Sequence, residues 1–234
     1  MKRALVLVLL VLSVGVAAAA QHTYAFYYNL QLGRDLVVNV MNTENVSASF
    51  TIEAYDAWGS LLWFESFQMM RLASYVHTMG ESVPAGNWGV VVIQSDRRLV
   101  IGLEYLNGGS LVSTDNIYQE APVLASGVSY WSGAYYSLAG GAETAIVLLN
   151  PFPVPTSCRL IVHMQGGEIA FEQVFEFSPY EGFFINLSDY IPLGMYTWGF
   201  ADVLMVESAV ILAVEYYNLG CSGLEVDNIS SFYY

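Results

Sequence analysis

The sequence repeats itself in order and at near-constant spacing, and that repeat confines the fold more than any other feature. The stretch from Tyr28-Asn29-Leu30-Gln31-Leu32-Gly33 to Val40-Met41-Asn42 returns as Tyr136-Ser137-Leu138-Ala139-Gly140-Gly141, running to Leu148-Leu149-Asn150. Trp88-Gly89-Val90 returns as Trp198-Gly199-Phe200, and Gly102-Leu103-Glu104-Tyr105 as Ala213-Val214-Glu215-Tyr216. Asp115-Asn116-Ile117 returns as Asp227-Asn228-Ile229. The offset climbs from 108 through 110 and 111 to 112, as a few one-residue loop insertions would produce. A period this long describes two copies of a whole domain rather than a solenoid of short units. The reading is two domains, 21–125 and 126–234, each long enough to enclose its own core.

Within each copy, short apolar or alternating runs are separated by turn residues. In the first copy they cover 36–42, 47–55, 60–68, 87–94, 99–107 and 111–118. In the second they cover 144–150, 157–164, 168–174, 182–187, 198–206 and 209–218. Asp56-Ala57-Trp58-Gly59 and Gln165-Gly166-Gly167 read as hairpin turns at equivalent places. An aromatic content of 15%, with 17 tyrosines, suits strands better than helices. Strands at such short intervals predict an all-β chain of two tandem antiparallel β-sandwich domains. An outer-membrane β-barrel is the alternative for an exported chain ending in Phe232-Tyr233-Tyr234. A barrel wall alternates apolar and polar residues, however, whereas Ile146-Val147-Leu148-Leu149 is apolar on both faces.

Residues 1–20 read as a signal peptide. Lys2 and Arg3 form the basic start, Ala4 to Val16 the apolar run, and Ala18 and Ala20 the small residues of a cleavage site. The apolar run is shorter than the ~20 residues of a spanning helix. Its removal takes two of the seven basic residues and none of the 21 acids. The exported chain then carries five arginines, no lysine and a net charge of −16. Nucleic acid is excluded as a partner by that charge. The expectation is a periplasmic or extracellular protein with no membrane segment after signal removal, meeting a protein or a glycan at the cell envelope and able to form homo-oligomers.

A family resemblance rests on the second copy. Trp131 is followed by Ala145-Ile146-Val147-Leu148-Leu149-Asn150, then Leu160-Ile161-Val162-His163-Met164 and Phe175-Glu176-Phe177-Ser178-Pro179. The run Val206 to Glu215 and a closing Asp227-Asn228 complete the pattern. This order resembles the small β-sandwich domain of the sensory rhodopsin transducer family. The resemblance implies the sandwich fold and a general binding or assembly role. The signal peptide and the tandem copy depart from that family and argue against photosensing.

No nucleophile elbow, phosphate-binding glycine loop or histidine pair at metal-ligand spacing is present, and no lysine remains for a Schiff base, so no enzymatic activity is expected. Glu104 with Asp115, and Glu215 with Asp227, recur beside asparagines on strands expected to pair. Such oxygens suit Ca²⁺, and the competing reading is that they close a hairpin through backbone hydrogen bonds. Trp88 and Trp198 are expected in the cores, and His163 on a core strand. Trp58 in its turn, and Trp131 and Tyr135 in the aromatic cluster opening the second copy, are candidates for stacking on a sugar or anchoring an interface. Cys158 and Cys221 are candidates for a disulfide in an oxidising compartment, with free buried thiols as the competing reading. The function expected is that of an exported, non-catalytic binding or assembly protein, with carbohydrate binding as the alternative.

Overall fold

The computed structural model describes residues 22–117, 130–192, 197–205, 209–218, 224–229 and 232–233, so the expected signal peptide lies outside the described residues. The first copy holds β1 (His22–Asn29), β2 (Arg34–Asn42), β3 (Ala48–Asp56), β4 (Leu61–Met69), β5 (Ser74–Thr78), β6 (Trp88–Ser95), β7 (Leu99–Asn107) and β8 (Ser110–Ile117). The second holds β9 (Tyr130–Ser137), β10 (Ala142–Leu149), β11 (Thr156–Met164), β12 (Ile169–Phe177), β13 (Gly182–Asn186), β14 (Trp198–Met205), β15 (Ile211–Asn218) and β16 (Leu224–Ile229), followed by β17 (Phe232–Tyr233).

These strands form four open antiparallel sheets, not one closed barrel. Sheet I has the order β5-β2-β7-β8 and sheet II the order β1-β6-β3-β4. Sheet III, β13-β10-β15-β16, repeats sheet I strand for strand, and sheet IV, β12-β11-β14-β9-β17, repeats sheet II and adds β17. Sheets I and II enclose a core containing Leu36, Val38, Val40, Phe50, Ile52 and Ile93. Sheets III and IV enclose a second, containing Ile146, Leu148, Leu160, Val162, Val203 and Leu212. In each strand the residues of one parity face the core, as the two-residue period of a pleated strand requires.

Details recur along with the order. Asn42 donates from Nδ2 to the carbonyls of Val46 and Met70 at 2.7 and 3.1 Å. Asn150, 108 positions on, donates to those of Val154 and Ser178 at 2.8 and 2.9 Å. One asparagine per copy thus ties the end of a central strand to two loops. The Tyr105 hydroxyl donates to the Tyr27 carbonyl at 2.9 Å, and the Tyr216 hydroxyl to that of Tyr135 at 2.8 Å.

Strand β1 is buried on both of its faces. From Tyr24 to Asn29 every residue of β1 is buried. Tyr24, Phe26 and Tyr28 pair with the core-facing Ile93, Val91 and Gly89, while Ala25, Tyr27 and Asn29 lie on the other face of the sheet. A strand covered on both sides has no polar phase to reveal it.

Gly89 and Gly199 occupy equivalent sites where two strands approach closely. A Cβ on Gly89 would collide with the Tyr55 carbonyl oxygen, and one on Gly199 with that of His163. Gly89→Ala and Gly199→Ala are each expected to cost about 1–3 kcal/mol, measured by denaturant unfolding. An unchanged midpoint in either variant would contradict the equivalence of the two sites.

Candidate functional site

The outer face of sheet II, which would meet water in an isolated sandwich, is covered by the outer face of sheet III. Val147, Leu149, Ala213 and Val226 of the second copy join the first hydrophobic core across this junction. Trp88 packs edge-on against Tyr27 and Phe184, with centroids 6.3 and 5.8 Å apart. Tyr55 stacks on Tyr180 at 3.8 Å. Trp88 therefore sits in the junction, not in a sandwich core as expected from its repetition. The physical reason is phase: Gly89, Val91 and Ile93 pair with core-facing positions, so Trp88, one residue out of step, must point outward.

A polar centre lies within this apolar contact. Glu215, whose side chain is wholly buried, accepts from the Tyr27 hydroxyl at 2.8 Å, Asn29 Nδ2 at 2.8 Å and Arg34 Nη1 at 2.9 Å. Burial, reinforced by the Glu215 charge, pushes the Tyr27 hydroxyl well above its ordinary range and keeps it a donor. Nearby, Asn228 Oδ1 accepts the Tyr27 amide, and Asn228 Nδ2 donates to the Tyr105 hydroxyl at 2.7 Å. These side chains satisfy backbone groups on the free edge of β1, which would otherwise template further strand pairing. In the second copy the corresponding edge, on β9, is covered by β17.

The carboxylates expected to form a cation site do not converge. In register Glu104 stands opposite Thr114 and Asp115 opposite Leu103, so Glu104 and Asp115 lie on opposite faces of sheet I. Glu104 accepts from Asn39 Nδ2 at 3.0 Å, while Asp115 accepts from the backbone and side chain of Asn228. Glu215 is held by the junction donors described above. Asp227 pairs with Val214, one step from the partner of Glu215; its side chain lies outside the described residues. Among the described residues no three His, Cys, Asp or Glu side chains are placed to share a metal ion. Cys158 is a free thiol in the second core, pushed up to about 12 by burial, and Cys221 lies outside the described residues.

The aromatic candidates divide between two places. Trp58 is 75% exposed on a turn whose amides, at Trp58 and Ser60, are both held by Asp56 Oδ1. That turn touches the second copy through a bridge to Glu181 and a bond from the Gly182 amide to the Ala57 carbonyl. Trp131 and Tyr135 lie elsewhere, on the outer face of sheet IV with Gly133 between them, 45% and 44% exposed. Beside them on β14 stand Trp198 and Phe200, both 6.1 Å from Tyr135 between ring centroids, with Phe200 53% exposed. Trp198 is thus on the outer face and not in the core, for the same reason of phase. His163 is also outward, its Nε2 3.2 Å from Asp202 Oδ2. Burial raises the Asp202 carboxyl while His163 opposes that rise. Sequence reading missed Phe200; its signal was the change from Val90 to Phe200 inside the otherwise matching Trp-Gly segment.

Arg34→Met would leave the Glu215 carboxylate buried without its cation, at an expected cost of about 3–5 kcal/mol in denaturant unfolding. Glu215→Gln, which removes the charge and keeps an acceptor, is expected to cost less; the reverse order would contradict a buried ion pair. The Cys158 thiol is expected to resist iodoacetamide at pH 8 in the folded chain and to react on unfolding. An unfolded thiol ionises near about 8.5 whereas the folded one does not, so this group's contribution to stability falls as pH rises through that value. Rapid labelling of the native chain would contradict its burial.

No protein-family model matches this chain, and no curated protein matches it. Among solved structures it is similar to the crystal structure of Thermotoga maritima 1070, at 8% identity and a TM-score of 0.35, over 47% of this chain and 97% of that one. It is also similar to a putative β-galactosidase from Bacteroides fragilis, at 10% identity and a TM-score of 0.20 over 91% of this chain and 32% of that one. A Bacteroides uniformis β-glucuronidase matches at 9% identity and a TM-score of 0.20, over 93% of this chain and 27% of that one. The chain thus spans less than a third of the length of these two glycosidases. At such scores the likenesses carry no argument about what the chain does.

Proposed function

We propose that the chain is an exported, non-catalytic binding and assembly module of the cell envelope or extracellular space, and that it works through the outer face of sheet IV. One observation carries the reading. The equivalent face of sheet II is buried in a tight intramolecular contact, while that of sheet IV leaves Trp131, Tyr135 and Phe200 in water. Aromatic residues grouped on one face of a sheet are the composition of an interaction surface. The resemblance to sensory rhodopsin transducer sandwiches points the same way.

A second reading, carbohydrate binding, draws on the exposed planar rings of Trp58, Trp131 and Tyr135, which could stack on sugar faces. Loss of glycan-array binding on Tyr135→Ala or Trp58→Ala would favour it and would say which ring is used. For the main reading, the double variant Tyr135→Asp, Phe200→Asp is expected to abolish whatever association the purified chain makes, followed by light scattering and glycan array. The same chain is expected to turn over nothing in a panel of hydrolase substrates. Association unchanged in the double variant would remove this face from the account. Turnover abolished by one serine or carboxylate change would overturn the non-catalytic reading.

A further inference from the structure

We infer that the occupant of the sheet IV face is a second copy of this chain, seated by its sheet I. The inference rests on the reading of that face as an association surface and names its partner. Its ground is the internal repeat. Sheet II docks on sheet III within the chain; sheet IV is the second version of II, and sheet I is the first version of III. The molecule therefore displays both halves of its own internal junction, one at each end of the stack of sheets.

The equivalence extends to residues. On the sheet IV side, Tyr135 stands where Tyr27 stands and Trp198 where Trp88 stands, at offsets of 108 and 110. On the sheet I side, Met41, Leu72 and Val76 stand where Leu149, Tyr180 and Phe184 stand, each 108 positions earlier. Leu72 and Tyr180 share even their left-handed backbone, at φ 54° and 61°. Leu149 is buried in the junction, while Tyr180 and Phe184 pack there against Tyr55 and Trp88; Met41, Leu72 and Val76 are exposed large apolar side chains. Docking a second copy in the geometry of the internal junction would set Trp198 against its Val76, as Trp88 meets Phe184. It would also bring Tyr135 to its Glu104, the counterpart of Glu215.

The two ends are not perfect copies of the inner junction, and the differences set its strength. Arg34, which neutralises Glu215, has Ala142 as its counterpart, and Val147 has Asn39, which already binds Glu104. The contact between copies therefore lacks the buried ion pair and some apolar area, and it forms reversibly with concentration instead of permanently. A head-to-tail contact of two different faces does not close on itself as a two-fold dimer does, so growth is open unless the rotation closes a ring.

The test is sedimentation velocity on the exported chain and on two single variants, Phe200→Asp in sheet IV and Val76→Asp in sheet I. Tyr135→Asp and Leu72→Asp repeat each arm at an independent position, and thermal unfolding confirms that each variant folds. The expected result is that wild type grows beyond a dimer with concentration and that each variant alone is monomeric. A one-to-one mixture of the two variants is then expected to form a dimer and stop, because each supplies the face the other lacks. Dimers from Val76→Asp alone would mean that sheet IV meets sheet IV, and would overturn the inference. Wild type monomeric at every concentration would overturn it too. In that case loss of glycan or partner binding on Phe200→Asp would leave the binding face standing with a different occupant, whereas assembly indifferent to both variants would overturn the face as well.

Discussion

Glu215 is a carboxylate with no access to water, and the arrangement of the two sandwiches depends on how its charge is met. Arg34, Asn29 and the Tyr27 hydroxyl, all from the first copy, converge on its oxygens at 2.8–3.1 Å. A buried charge is costly unless paired and hydrogen-bonded, so separating the copies while keeping Glu215 dry is not an available state. The apolar surface around it supplies the favourable area; the charged centre fixes which registration of the two sheets is allowed. The result is one stack of four sheets, in the order I, II, III, IV, whose middle contact joins the first hydrophobic core through Val147, Leu149, Ala213 and Val226.

That contact explains the unusual burial of β1. The strand serves the first core with Tyr24, Phe26 and Tyr28 and the junction with Ala25, Tyr27 and Asn29. Its counterpart β9 serves only one core, and its outer face leaves Trp131 and Tyr135 exposed. Duplication of a sandwich that sticks to its neighbour leaves, after one internal contact, an unsatisfied face at each end. The exposed side chains of sheet IV and sheet I are understood most simply as those two faces, modified by the loss of the arginine.

Much of the architecture was legible in the sequence because the repeat is long and ordered. Strands with one wet face, such as β2 and β7, showed their alternation, and the copies confirmed each other. What stayed hidden was what depends on strand phase, on register and on packing between the copies. A strand buried on both faces, like β1, lacks the polar phase that marks a strand. Trp88 and Trp198 look like core residues because they are large, apolar and repeated, yet a shift of one residue in phase puts them outside. Glu104 and Asp115 look paired because they lie on neighbouring strands, and the register separates them onto opposite faces. Trp131 and Tyr135 were visible as candidates because they belong to the aromatic cluster that opens the second copy. Phe200, on another strand, joined them only through the pairing of β9 with β14.

The most direct measurement of the central claim is a structure of the assembled chain by electron cryomicroscopy. The account predicts that each contact between copies superposes on the contact between sheets II and III inside a copy. Trp198 would then pack on Val76 of the next molecule, and Tyr135 would reach its Glu104. A two-fold contact of sheet IV on sheet IV, or an assembly that leaves sheet I in water, would contradict it.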